Sequence, residues 1–239
     1  MAKFTATVRG LLIPVLLSTI LLSGCSHSEK KRNPYGLDII NTADAYQKSV
    51  ADDPDNELID LEGYIPYLGL DIRYATDNNF TGQTIYSAPK AYLRKPVADA
   101  LYKIQSELIE DGYGLKVFDA YRPYEATVLF YETYHDTTFV ASPRTGSIHN
   151  KGCAVDLTII DLTSGLELEM PTPFDDFTEK AAIDYMNLSQ SVIDNRAKLI
   201  SIMKKHGFDP ISSEWWHFNF KERKKYKLLD LSFKELSNL

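Results

Sequence analysis

Two segments far apart in the chain constrain its fold most: Ser147-Ile148-His149-Asn150-Lys151-Gly152-Cys153-Ala154-Val155-Asp156, and Glu214-Trp215-Trp216-His217 about sixty residues later. His149, Asp156 and His217 form a three-ligand set for zinc, and Glu214 lies close enough to the last of them to serve as a base. Catalytic zinc takes three protein ligands and keeps a fourth position for water, whereas structural zinc is usually enclosed by four Cys or His ligands. A fold that uses this set must bring the two segments together, and the set itself reads as a zinc hydrolase.

Local spacing sharpens the expectation. His149 falls in a loop that enters an apolar, β-branched run, with Gly152 allowing a tight approach, and Asp156 falls within that run. Glu214 and His217 are three apart, which on a regular strand puts them on opposite faces. Both face one metal only if Glu214 sits in the loop before the strand, with the two tryptophans packing that turn against the core. Each residue alone has an ordinary structural explanation, but His27, His135 and His206 lack comparable company. Arg122, in Val117-Phe118-Asp119-Ala120-Tyr121-Arg122-Pro123, stands just past another apolar strand. A guanidinium there suits a developing oxyanion, because it stays charged and offers a rigid fork of donors. The alternative is a structural arginine paired with Asp119. Cys153 reads as a small buried side chain rather than a ligand or nucleophile.

The ends of the chain carry a different signal. Lys3 and Arg9 precede an apolar run over residues 10–22, too short and too early for a spanning helix, which closes on Leu22-Ser23-Gly24-Cys25. This resembles a bacterial lipoprotein signal, so residues 1–24 are expected to be removed and Cys25 to carry lipid. The protein would then be exported and membrane-anchored, in the periplasm or at the cell surface. Residues 25–56 are polar and charged, with an acidic patch at Asp52, Asp53 and Asp55, and read as a solvated tether outside the core. Residues 57–239 have the size of one domain. The net charge of −7 and the absence of a basic stripe argue against nucleic acid as a partner.

The periodicity gives an α+β chain. Residues 68–74 alternate as a strand, and Pro96 opens a helix with Val97, Leu101, Ile104 and Leu108 on one face, closed by Gly112. A strand over 115–120, a helix over 123–134, a strand over 154–160, a helix over 191–205 ending at Gly207, and a strand over 216–220 follow.

Taken together, the S-x-H-x-x-G-x-A-x-D pattern, the D-A-Y-R-P segment and the E-W-W-H segment resemble the D-alanyl-D-alanine dipeptidases of the VanX type. These belong to the zinc D,D-peptidases of family M15, with VanY-type carboxypeptidases, some phage endolysins and the Hedgehog signalling domain. The likeness extends through Ile72-Arg73-Tyr74-Ala75-Thr76, Asn79-Phe80-Thr81-Gly82 and Met170-Pro171-Thr172-Pro173-Phe174-Asp175. It implies a single domain with a central, mainly antiparallel sheet flanked by helices. It also implies one zinc per chain on His149, Asp156 and His217, Glu214 as general base and then acid, and Arg122 on the tetrahedral intermediate. Tyr74, Ser147 and Asp175 would contact substrate, with Asp175 taking the free ammonium of a small D,D-dipeptide. Cys153 occupies a variable position, and the tether is absent from soluble cytoplasmic members. The competing reading is a D,D-carboxypeptidase or endopeptidase acting on peptidoglycan stem peptides.

Overall fold

The computed structural model describes residues 1–3 and 33–239; the signal segment and Cys25 lie outside the described residues. The elements run β1 (Ile39–Ile40), α1 (Ala43–Asp52), β2 (Leu58–Asp60), α2 (Leu61–Tyr64), β3 (Gly69–Leu70), β4 (Tyr92–Arg94), α3 (Lys95–Glu110), β5 (Tyr113–Asp119) and α4 (Tyr124–Thr133). They continue with β6 (Ala154–Asp161), α5 (Gln190–Lys205), β7 (Phe208–Pro210), β8 (His217–Phe220), β9 (Leu228–Leu229) and α6 (Phe233–Leu236).

The central sheet has the order β3-β5-β6-β8-β7, with β3 parallel to β5 and every other pairing antiparallel. Its middle strand, β6, is rich in β-branched residues and buried along nearly its whole length, as a strand covered on both faces must be. The α3 helix lays Val97, Leu101, Ile104 and Leu108 into the core at the spacing read from the sequence, and packs on β5. Its buried Gln105 accepts a hydrogen bond from Leu115 N at 2.8 Å and donates to Pro66 O at 3.1 Å, which fixes the helix against the edge of β5. Ser189 caps α5 by accepting from Val192 N, and Gly207 follows the helix at φ +89°.

Two expectations are corrected. The strand expected over 68–74 shrinks to Gly69–Leu70, and Tyr74 falls instead on a 3-10 turn, Arg73–Ala75. The larger correction concerns the tether, whose later part folds onto the domain. Strand β1 pairs parallel with β9, and α1 buries Tyr46, whose hydroxyl accepts from Leu58 N at 2.7 Å. A charged composition misleads here because a surface helix needs only one apolar stripe. The acidic patch works locally: Asp53 accepts from Asp55 N to cap the 3-10 turn Pro54–Asn56, and Asp55 pairs with Lys225 at 2.8 Å.

Beneath this docked segment runs the turn that carries His149. The 3-10 turn His149–Lys151 ends at Gly152, whose φ of +68° lies in the left-handed region. A Cβ there would stand 2.7 Å from Leu58 Cδ2. Gly152→Ala should therefore destabilise the protein by about 1–3 kcal/mol through strain and overpacking together, measured by denaturant unfolding; an unchanged midpoint would refute the constraint.

Candidate metal centre and active site

Strand register assembles the centre. Asp156 of β6 lies opposite His217 of β8, and Asp119 of β5 lies opposite Asp156 on the other side. The β5–β6 register shifts between Val117 and Asp119, a bulge that puts Asp119 rather than Phe118 across from Asp156. Asp119, Asp156 and His217 thus form one row across three strands. His149 joins from the turn before β6, held by Ser147 Oγ, which accepts from His149 N at 3.2 Å. Arg122 N donates to His149 O at 3.2 Å, and Asn150 Nδ2 donates to Arg122 O at 2.9 Å, so the two loops are stitched together.

The imidazoles are oriented by their outer nitrogens. His149 Nδ1 lies 2.6 Å from Ala120 O, which can only accept, so Nδ1 carries the proton and Nε2 presents a lone pair inward. His217 Nε2 lies 3.1 Å from Asn219 Oδ1, which likewise leaves Nδ1 facing inward. These inner nitrogens are 3.1 Å apart, with Asp156 Oδ1 2.9 Å from His217 Nδ1 and Asp156 Oδ2 3.4 Å from His149 Nε2. Two lone pairs and a carboxylate converging at such range repel unless a proton or a metal cation stands among them. Ligands at about 2.0–2.1 Å from a tetrahedral zinc stand roughly 3.3 Å from one another, so this donor set fits the ion in both chemistry and spacing. Among the described residues, these three form a group able to hold a metal ion.

The surrounding charges follow the same geometry. Burial opposes ionisation of Asp156, but His149 and His217 outweigh it and hold the carboxyl well below the usual carboxylate range. Burial also disfavours a charged His217, yet its contact with Asp156 raises its pKa above the ordinary value. Arg122 donates through Nε and Nη2 to Asp119 Oδ2 at 3.0 and 2.7 Å, and its guanidinium lies 4.7 Å from the centre of the Phe130 ring and 5.4 Å from that of Tyr74. The structural pairing with Asp119 is therefore present, and Arg122 still borders the cavity.

That cavity, of about 260 Å³, opens over the ligands and is walled in part by Tyr74, Ser147, Asp175, Phe177 and Glu214. Asp175 adopts φ +63°, which a short polar side chain tolerates, and its carboxylate accepts from Tyr74 OH at 3.1 and 3.2 Å. Burial and then the charge of Asp156 push its pKa well up, with Tyr74 and Arg122 partly offsetting the rise. Glu214 does lie in the loop before β8. Trp215 and Trp216 anchor that loop, fully buried and edge to face at 5.4 Å, with Trp215 Nε1 donating to Thr172 Oγ1 at 3.0 Å. Cys153 is buried, with its thiol pushed up to about 12 by burial, and is inert.

In the sequence Asp119 stands out only as a structural partner of Arg122, and Tyr86 and Asn219 do not stand out. Asp119 also accepts from Tyr86 OH and from Ala120 N, both at 2.9 Å, so it braces the Arg122 side of the site. Asp119 was visible within the D-A-Y-R-P segment; Tyr86 and Asn219 carried no pattern that would single them out.

Burial, followed by the charge of Asp156, pushes the Glu214 carboxyl from 4.5 up to about 7 against the opposing pull of His217, Arg122 and Trp216. Between those values the folded, metal-free protein holds a proton that the unfolded chain has released, so stability falls as pH rises through the window. In Glu214→Gln the buried charge never forms. Metal-free Glu214→Gln should match the parent below about pH 4.5 and exceed it by about 3 kcal/mol above pH 7, read from denaturant melts; parallel stability curves would refute the shift.

Residues 54–235 match the family model of the peptidase M15 D-Ala-D-Ala dipeptidases. The D-alanyl-D-alanine dipeptidase of Escherichia coli (strain K12) is 36% identical over 173 residues, covering 72% of this chain and 89% of its own. That of Enterococcus faecium is 33% identical over 171 residues, covering 62% and 83%. Among solved structures, the vancomycin-resistance D,D-pentapeptidase VanY in complex with Zn(II) covers 56% of this chain and 75% of its own at 17% identity and a TM-score of 0.34, too loose a likeness to carry an argument. On the family match and the sequence identity, the chain is a member of the D-Ala-D-Ala dipeptidase family of M15 peptidases.

Proposed function

We propose that this protein is a zinc dipeptidase that hydrolyses D-alanyl-D-alanine to D-alanine outside the cytoplasm, in peptidoglycan turnover or salvage. One observation carries the metal chemistry: two imidazole lone pairs and the Asp156 carboxylate converge within 2.9–3.4 Å beside a buried Glu214. One zinc on this set would supply a Lewis acid that polarises the scissile carbonyl and lowers the pKa of an attacking water to about 7.

The chain's own groups complete the reaction. Glu214, whose carboxyl lies near 7 in the free chain, takes the proton of the water and returns it to the departing amine. Arg122, held by Asp119, offers its fixed positive charge to the oxygen that becomes negative. Asp175 and Tyr74 receive the substrate ammonium; a half-buried carboxyl of raised pKa gains a charged partner when that ammonium enters. Ser147 stands at the rim beside His149 as a further substrate contact. A cavity of about 260 Å³ with the Asp175 carboxylate in its wall suits a free dipeptide, whose ammonium would pair with that carboxylate, better than an acylated stem peptide that lacks the charge.

Location rests on Leu22-Ser23-Gly24-Cys25, read as the end of a lipoprotein signal with lipid on Cys25. An exported enzyme meets the dipeptide only after its release from the wall, which supports salvage over depletion of a cytoplasmic precursor pool.

Two measurements test this reading. Purified, zinc-loaded protein should cleave D-Ala-D-Ala and leave an acylated D-Ala-D-Ala tripeptide and whole sacculi intact, and Glu214→Ala should keep zinc while losing at least about 10²- to 10⁴-fold in rate; preferential cleavage of the acylated peptide would favour the carboxypeptidase reading. Cys25→Ala should move the protein from the membrane to the soluble fraction of cells, and an unchanged distribution would overturn the lipid anchor.

A further inference from the structure

Behind the metal-binding turn, on the side away from the cavity, lies Arg94, the last residue of β4 and the residue that leads into α3. It is fully buried. Its guanidinium donates from Nε to Lys151 O at 2.8 Å, from Nη1 to Asn56 O, and from Nη2 to Lys227 O at 3.3 Å, and it lies 5.2 Å from the centre of the Tyr226 ring. The three acceptors are main-chain carbonyls; no carboxylate is among them. Burial accordingly draws its pKa below the ordinary guanidinium value. A cation buried on carbonyls and one aromatic face is poorly compensated, and a leucine or methionine could fill the same space without that penalty.

What the arrangement gains is a junction. Asn56 ends the docked segment that precedes the domain core, Lys151 closes the turn bearing His149, and Lys227 precedes β9. The main chain repeats the link: Arg94 N donates to Gly152 O at 2.9 Å, and Gly152 N donates to His149 O at 3.0 Å. A second path runs in parallel, because Tyr46 of α1 accepts from Leu58 N and Leu58 packs under Gly152. The family match begins at residue 54, so α1 and β1 precede it.

We propose that Arg94 is a positioning residue that clamps the docked segment over residues 39–56 onto the back of the His149 turn, so that this segment, though remote from substrate, sets the geometry of the metal site. The inference rests on the metal-site reading of His149, Asp156 and His217. Loosening the clamp lets the turn sample positions in which His149 Nε2 no longer faces Asp156 and His217, which weakens metal binding and turnover without touching the substrate pocket.

The test uses the full chain as Arg94→Met, which removes the charge and keeps the bulk, and Arg94→Lys, which keeps the charge but not the three-way fork. Three quantities are read: the zinc dissociation constant by chelator competition, amide exchange over residues 147–153 in the metal-free protein, and kcat with KM on D-Ala-D-Ala. Arg94→Met should weaken zinc about 10- to 100-fold, speed exchange in the turn, and lower kcat with KM near the parent's; Arg94→Lys should recover part of each. Tyr46→Phe, which removes only a hydroxyl, should move the same quantities in the same direction by less, and it decides the matter if Arg94→Met does not fold. Zinc affinity and turn exchange within twofold of the parent, alongside a general loss of stability, would overturn the proposal. Should the parent itself bind no zinc, the metal-site reading fails, whereas the clamp still stands or falls on the exchange measurement.

Discussion

The contact between Asp156 and the two inward-facing imidazole nitrogens is the interaction on which the rest of the site depends. Around it the protein buries three carboxyl groups, Asp119, Asp156 and Glu214, and half-buries a fourth, Asp175, with one guanidinium, Arg122, bonded among them. In a medium of low dielectric such an excess of negative charge is held only by protonation or by added cations. The free chain uses protonation, which is why Glu214 and Asp175 are both pushed upward while Asp156, gripped by the histidines, is not. A divalent ion at the histidines and an ammonium at Asp175 would supply the missing positive charge at two separate points. The site is therefore electrostatically incomplete in a way that suits the proposed metal and the proposed substrate.

Such a cluster persists only if its backbone cannot relax. Aromatic packing supplies that rigidity from the loop side: Trp216 meets Phe174 at 5.5 Å, and Phe174 stacks on Phe118 at 4.8 Å, so the loops bearing Glu214 and Asp175 share one anchor. On the other side Tyr74 packs against Phe130 at 4.5 Å, and both face the guanidinium of Arg122. Side chains that touch the cavity are thereby tied to the same core that closes behind them, and small shifts in one loop are resisted by the others.

Much of the fold was legible because strong local patterns agreed with the tertiary environment. The α3 stripe, the β-branched β6 run, Gly207 at the end of α5, and the position of Glu214 before β8 all follow from period, capping and spacing. Two regions were not legible, for different reasons. Tyr74 lies in a stretch that alternates well enough for a strand, but the chain turns at Arg73 and directs its hydroxyl to Asp175, 101 residues further on. Residues 39–56 read as solvent-borne because most of their side chains are polar; their docking relies on a few groups, Tyr46 and the β1–β9 pairing among them, whose partners lie distant in sequence.

The sequence by itself determined which donors the protein can offer a metal and that the proposed centre requires them to meet, since no other histidine has comparable neighbours in the sequence and the chemistry of two imidazoles, a carboxylate and an adjacent glutamate is a property of residue type. Only the tertiary structure decided how they meet. The bulge that sets Asp119 across from Asp156, the carbonyl of Ala120 that turns the His149 ring and the docked segment behind Arg94 all depend on register and on contacts between distant parts of the chain. Register is settled by the cooperative packing of both sheet faces, a global condition that no local window of residues contains.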